Sequence, residues 1–182
     1  MKVENQHSNQ LINRCKKGDK EAQFEVYKLY YKAMYNAAYR IVNNQFEAED
    51  VMQESFLSAF TKLDSWSETV TFGAWLKKIV INKSISALKK NNRFDTVPIE
   101  KVTIKSVEDE QIEYSNINPK IILDKVKKLK NNYKVAITLN LIEGYDYEEI
   151  AQIMNISYEN SRTTVSRAKN KLRQLLITEY AK

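Results

Sequence analysis

The stretch Tyr145-Asp-Tyr-Glu-Glu-Ile-Ala-Gln-Ile-Met-Asn-Ile-Ser-Tyr-Glu-Asn-Ser-Arg-Thr-Thr-Val-Ser-Arg-Ala-Lys-Asn-Lys-Leu-Arg-Gln-Leu-Leu176 decides the fold of this chain. It reads as two helices joined by a tight turn, a helix-turn-helix whose second helix is basic. Asp146 is placed to cap the first helix while Glu149 reaches back to the cap amide, and acids in that turn suit the positive helix end. Ile150, Ala151, Ile153 and Met154 supply the buried side, and the small Ala151 lets a second helix approach closely. Asn155-Ile156-Ser157 makes the turn, with Ser157 as the next N-cap. Val165, Ala168, Leu172 and Leu175 then recur at spacings of three and four, a stripe for the core. Arg162, Ser166, Lys169 and Arg173 fall on a different face, suited to phosphates and base edges in a major groove; a solvated charged face is the competing reading.

The 182 residues carry a net charge of +6, placed unevenly: +2 over residues 1–87, −1 over 88–118 and +5 over 119–182. A basic C-terminal third favours a polyanion without choosing among DNA, RNA and an anionic membrane surface, and the helix-turn-helix chooses DNA. With Cys15 as the only cysteine, neither an intramolecular disulfide nor a cysteine-built zinc site can form in one chain. Cys15 shares an apolar helical face with Leu11 and Ile12 and reads as a small core residue. The only histidine, His7, falls in a polar, frayed N-terminus unsuited to catalysis or metal binding. No apolar run reaches the length of a membrane span, and the polar start lacks the core of a signal peptide, so the expected location is the cytoplasm. No cofactor and no metal site is expected.

Three glycines and two prolines punctuate the chain, and Gly18, Gly73, Gly144 and Pro119 lie near the boundaries of helical patterns. The expected fold is all-α, with two helical domains joined by a flexible linker. Phe24, Tyr27, Tyr31, Tyr35, Ala38 and Val42 make one apolar stripe, and Met52, Phe56, Ala59, Phe60 and Leu63 another. A third helix starts near Phe72 and runs through Trp75, Leu76, Ile79 and Val80, completing an N-terminal module over 8–90. Residues 91–118 lack sustained periodicity and carry the acidic run Glu108-Asp-Glu110, as a linker does; a brief alternation around Val102–Val107 has no partner strand. Asn118-Pro119 then signals a helix start, and two helices precede the helix-turn-helix in a second module over 119–178.

The first module carries two surfaces of opposite sign. Glu47, Asp50 and Glu54, bordered by Gln53, make an acidic helix face that would repel phosphates and so suits a basic protein partner, unless it is simply solvated. Lys78, Asn82, Ser86 and Lys89 share a face of the next helix, and Trp66, Phe72 and Trp75 cluster at or before its start. Cations interleaved with aromatics suit single-stranded or opening DNA. Phe72 and Trp75 share a side with Leu76 and Ile79 and read as core, whereas Trp66, in the polar loop Asp64-Ser-Trp-Ser-Glu-Thr69, reads as the base contact.

These parts, in this order, resemble the extracytoplasmic-function sigma factors, two-domain specificity subunits of bacterial RNA polymerase. The likeness spans nearly the whole chain. Leu11-Ile-Asn-Arg-Cys-Lys-Lys-Gly-Asp-Lys-Glu-Ala22 resembles that family's start, and Ala48-Glu-Asp-Val-Met-Gln-Glu-Ser-Phe56 its polymerase-binding helix. The resemblance implies that Asp50, Gln53 and Glu54 contact the β′ clamp helices, with the β subunit a further contact of core RNA polymerase. Phe72-Gly-Ala-Trp-Leu-Lys-Lys-Ile-Val-Ile-Asn82 resembles the reader of the minus-ten element. It implies DNA-facing roles for Lys78 and Asn82 and capture of a flipped base by the loop at 65–71, which holds Trp66. Tyr147-Glu-Glu-Ile-Ala151 and Ile156-Ser157 match the minus-thirty-five reader, which puts Arg162, Thr163, Ser166 and Arg167 into the groove. Lys171 is expected on phosphate. Two positions depart from the family: Ser161 stands where an aliphatic residue is usual, and Lys130-Asn131-Asn132 replaces a turn that often holds proline.

The implied function is a transcription initiation subunit that brings core polymerase to promoter DNA and assists strand opening, with an anti-sigma factor as a further partner and no catalysis of its own. Two rivals remain at this stage. A free-standing helix-turn-helix regulator would need a dimer interface, and no heptad supplies one. A small helical enzyme would need a nucleophile with its base, paired ligands or a P-loop, which the sequence lacks.

Overall fold

The computed structural model describes residues 2–91 and 118–180, which are helical with no strand among them. The chain divides into two compact units, Met1–Arg93 and Phe94–Lys182. Most of the expected linker, including the alternation around Val102–Val107, lies outside the described residues, as does the His7 side chain.

The first unit is built from α1 (Lys2–Lys16), α2 (Lys20–Val42), α3 (Gln45–Thr61), a 3-10 turn (Leu63–Ser65) and α4 (Phe72–Lys90). The first helix begins at Lys2, earlier than the expected module start. Its end is set by Gly18, whose φ of +81° suits a residue without Cβ. Asp19 then caps α2, accepting from the Ala22 amide at 3.1 Å and from Arg14 Nε at 2.7 Å. Both donors favour the ionised carboxylate, and Asp19 titrates below the usual range, chiefly through the Ala22 amide and then Arg14. Asn43 closes α2 in the left-handed region, and Asn44 caps α3 by accepting from the Glu47 amide. That two-residue connection folds α3 back on α2.

Helix α2 packs along α1, α3 and α4, and α3 packs on α4. Ile12, Val26, Met34, Ile41, Met52, Phe56, Leu76 and Ile81 lie in the core between them. Gly73 sits inside α4 because an added Cβ would stand 2.8 Å from the Tyr30 ring. Cys15 is buried as expected, and burial pushes its thiol up to about 11, so it stays protonated at neutral pH. The aromatic stripe of α2 is less buried than its spacing implied. Phe24 is 57% exposed, with Lys28 Nζ 4.2 Å from its ring, while Ala22, Val26, Met34, Ala37 and Ile41 form the buried side. Small residues there admit three neighbouring helices, which pushes the tyrosine row to the margin.

The second unit holds α5 (Pro119–Lys127), α6 (Asn131–Ile137) running into a π-helical turn (Thr138–Ile142), α7 (Tyr147–Met154) and α8 (Tyr158–Tyr180). Asn118 caps α5 by accepting from the Lys120 amide, with Pro119 at the first helical position. Lys130-Asn131-Asn132 starts α6 without a side-chain cap; Asn132 instead accepts from the Tyr133 amide at 2.8 Å. Val126, Leu129, Ile137, Ala168, Leu172 and Leu176 form one cluster of the core, with Leu175 only partly buried beside it, and Leu139, Ile150, Met154 and Val165 are buried as well. The α8 stripe therefore ends on Leu176 instead of Leu175, as a helix advancing in steps of four requires.

Candidate protein and nucleic-acid surfaces

On α3, Asp50, Gln53 and Glu54 are exposed and Glu47 is half-buried, so the acidic face points to solvent. Two side chains that the sequence did not single out change its meaning. Phe46 is 79% and Leu57 68% exposed. Phe46, Asp50, Gln53 and Leu57 succeed one another at steps of four, three and four, a single row along the helix. An isolated exposed apolar residue means little, but two enclosing an acid and an amide give the row an apolar component that pure solvation does not explain. Glu54 Oε2 lies 3.3 Å from Lys83 Nζ of α4, an exposed pair that a partner can displace at little cost.

On α4, Lys78 and Asn82 are exposed, and Ser86 donates its hydroxyl to the Asn82 carbonyl at 2.9 Å. Thr71 caps this helix by accepting from the Ala74 amide. The expectation for Trp66 is corrected. It is 3% exposed, donates Nε1–H to the Val70 carbonyl at 2.9 Å, and meets the Phe72 ring edge-on at 5.7 Å. A polar neighbourhood in sequence misled because the loop turns its one indole inward and satisfies its N–H on its own backbone. Trp66 therefore shapes the loop at 66–70 and offers no face to a base. Trp75, expected in the core, is the half-exposed tryptophan, tilted against Phe72 at 5.7 Å.

The helix-turn-helix is assembled as its caps dictate. Asp146 accepts from the Glu149 amide at 2.8 Å and Glu149 from the Asp146 amide at 3.0 Å, a reciprocal capping box. Asn155, left-handed at φ 56°, makes the turn, and Ser157 Oγ accepts from the Asn160 amide. Ser161 is fully buried and donates to the Tyr147 carbonyl at 2.6 Å. The departure at Ser161 thus replaces an apolar contact by a hydrogen bond that pins the start of α8 to the start of α7.

In front of this joint lies an open concavity of about 430 Å³, lined by Tyr147, Glu159, Arg162, Thr163 and Ser166. It brings together three of the expected reading residues. Arg167 is half-buried and already engaged, and Lys171 is exposed with Nζ 3.4 Å from Gln174 Oε1; neither lines the concavity. Thr163 donates its hydroxyl to the Glu159 carbonyl at 2.8 Å, which uses its one donor and leaves a lone pair and the methyl group for other contacts. Glu159 and Tyr147 were missed because an acid and an aromatic do not belong to a basic stripe; the signal was their place in the first turns of the two helices.

Among the described residues, no helix is long and apolar enough to cross a membrane. The Sigma-70 region 2 family model matches residues 26–94, and the Sigma-70 region 4 model matches residues 120–172. The ECF RNA polymerase sigma factor SigW of Bacillus subtilis is 30% identical over 180 residues, covering 91% of this chain and 94% of that protein. The ECF RNA polymerase sigma-E factor of Haemophilus influenzae is 28% identical over 183 residues, covering 91% and 95%. Among solved structures, the sigma factor RpoE of Bartonella quintana, in complex with the anti-sigma factor NepR, has a TM-score of 0.57 and 28% identity, covering 84% of this chain and 94% of that one. CnrH, in complex with the cytosolic domain of CnrY, gives 0.56 at 20% identity, covering 94% and 97%, and shares the fold.

Proposed function

Because this chain belongs to the extracytoplasmic-function sigma factors of RNA polymerase, we propose that its three surfaces divide promoter recognition among them. The α3 row holds core polymerase, its β′ clamp helices meeting Asp50, Gln53 and Glu54 between Phe46 and Leu57. Lys78 and Asn82 of α4 face the minus-ten element, and the loop at 65–71 lies beside them. Arg162, Thr163 and Ser166 face the minus-thirty-five element. Polymerase performs nucleotidyl transfer in the cytoplasm, and this chain contributes binding energy and no chemical step. The likeness to RpoE, captured with an anti-sigma factor, supports such a partner for this chain too. A free-standing regulator accounts for neither the two sigma-region matches nor the α3 row.

The observation that carries this reading is that row, acid and amide between two exposed apolar side chains. Asp50→Lys and Phe46→Asp alter exposed positions, so the helical circular dichroism spectrum should stay unchanged. Each should weaken co-purification with core polymerase by about 30-fold or more, as central interface residues do, and abolish promoter-directed run-off transcription. Variants that co-purify as well as the parent chain would sink the assignment.

A further inference from the structure

Glu159 is an acid inside a concavity whose other walls are Tyr147, Arg162, Thr163 and Ser166, in the most basic third of the chain. The first turn of α8 favours an acid there, but the helix does not need Glu159 as its cap. The cap of α8 is already supplied by Ser157, whose hydroxyl accepts from the Asn160 amide and whose carbonyl accepts from the Ser161 amide. Among the described residues the Glu159 carboxylate makes no hydrogen bond or ion pair, although Arg162 follows at i+3. A carboxylate does suit the positive end of a helix. On a face that meets DNA, however, it would be repelled by phosphates, a cost that a contact with a base edge can offset.

We infer that Glu159 is a base-reading residue, selecting a cytosine in the base pair next to the one read by Arg162. This deepens the proposed minus-thirty-five role and rests on it. An ionised carboxylate only accepts hydrogen bonds. In the major groove guanine offers two acceptors and thymine an acceptor with a methyl group, so both leave it unmatched. Adenine sets its N7 acceptor beside its amine, whereas cytosine presents the N4 amine alone. Spacing supports neighbouring pairs. At about 1.5 Å rise per residue, Glu159 and Arg162 are separated by about 4.5 Å along α8, close to one base-pair step of about 3.4 Å, and Ser166 lies about 10.5 Å from Glu159. The concavity thus spans three to four base pairs, with acceptor, fork donor, methyl and hydroxyl in fixed order. Thr163 contributes the methyl because its hydrogen is held by the Glu159 carbonyl.

The test uses the full chain assembled with core polymerase and a pool of duplexes randomised across the minus-thirty-five region, with the parent chain, Glu159→Gln, Glu159→Ala and Arg162→Ala selected in parallel. The parent should select cytosine at one position and guanine at its neighbour. Glu159→Gln should shift the first preference from cytosine to adenine, because an amide matches adenine bidentately. Glu159→Ala should flatten it by on the order of 10-fold, with guanine selection intact, and thermal melting of the three variants should match the parent. If Glu159→Ala keeps every preference, or tightens all sequences alike, Glu159 is only a general repulsive charge and the inference fails while the minus-thirty-five assignment stands. If the parent itself shows no duplex preference, both fail.

Discussion

Replacing Trp66 by alanine separates a structural tryptophan from a base-stacking one. An indole buries roughly 150–250 Å², worth about 4–6 kcal/mol at about 25 cal/mol per Å². Alanine keeps the Cβ, and truncations of buried aromatic residues cost about 3–5 kcal/mol. The bond from Nε1 to the Val70 carbonyl adds little, because Val70 is exposed and its carbonyl can turn to water. Against a domain stability of about 5–15 kcal/mol, the first unit should lose a large share of its stability. A melting shift of more than about 12 °C follows for a unit of this size.

The assay is equilibrium unfolding of the full chain by circular dichroism, paired with fluorescence. Only two tryptophans are present, so Trp75→Phe leaves Trp66 as sole reporter. Its emission should be blue-shifted and poorly quenched by acrylamide in the folded chain. Trp66→Phe, which keeps a ring against Phe72 but loses the N–H, should cost about 1–2 kcal/mol, between the parent and alanine. If Trp66→Ala unfolds within about 0.5 kcal/mol of the parent, as surface substitutions do, or if Trp66 is freely quenched, the burial argument is wrong and base stacking returns.

Two further outcomes are expected in the second unit. Arg162→Ala should relax preference at one base pair by about 1–3 kcal/mol, whereas Lys171→Ala should weaken all duplexes alike and lower the salt slope by about 0.9; equal behaviour of the two variants in salt-dependent binding would refute the division between reading and positioning. Ser161→Ala removes a buried bond to the Tyr147 carbonyl and should lower stability by about 1 kcal/mol, measured by thermal melting; an unchanged melt would show that α7 and α8 are held by packing alone.

The fold was legible wherever a local rule acts alone. Asp146 with Glu149, Ser157, and Asn118 with Pro119 each fix a helix end through bonds within four residues, and a sequence displays such bonds directly. Phe24 was misread because a stripe of aromatics says which residues prefer burial and not which face the neighbouring helices reach. The small Ala22 and Ala37 decide that, by letting α2 be approached from their side. The π-helical turn at Thr138–Ile142 carries no sequence sign comparable to a cap or a glycine, so a plain helix was the natural reading there.

The candidate sites divide along the same physical line. Charged rows on one helix are readable because periodicity alone groups them, and Asp50, Gln53, Glu54, Lys78, Asn82 and Arg162 are all exposed. Residues whose role depends on where a chain turns are not. Trp66 depends on the course of five loop residues back to Val70, and Glu159 on how closely Ser161 draws α8 to Tyr147. Phe46 and Leu57 are the instructive pair: each is a lone apolar residue off the core stripe, unremarkable singly. Their meaning arises only when the steps to Asp50 and Gln53 place all four on one row that no neighbouring helix covers. An acidic helix needs no such side chains in order to be solvated, so exposed apolar residues beside charge are the feature on which the proposed binding role of this face rests.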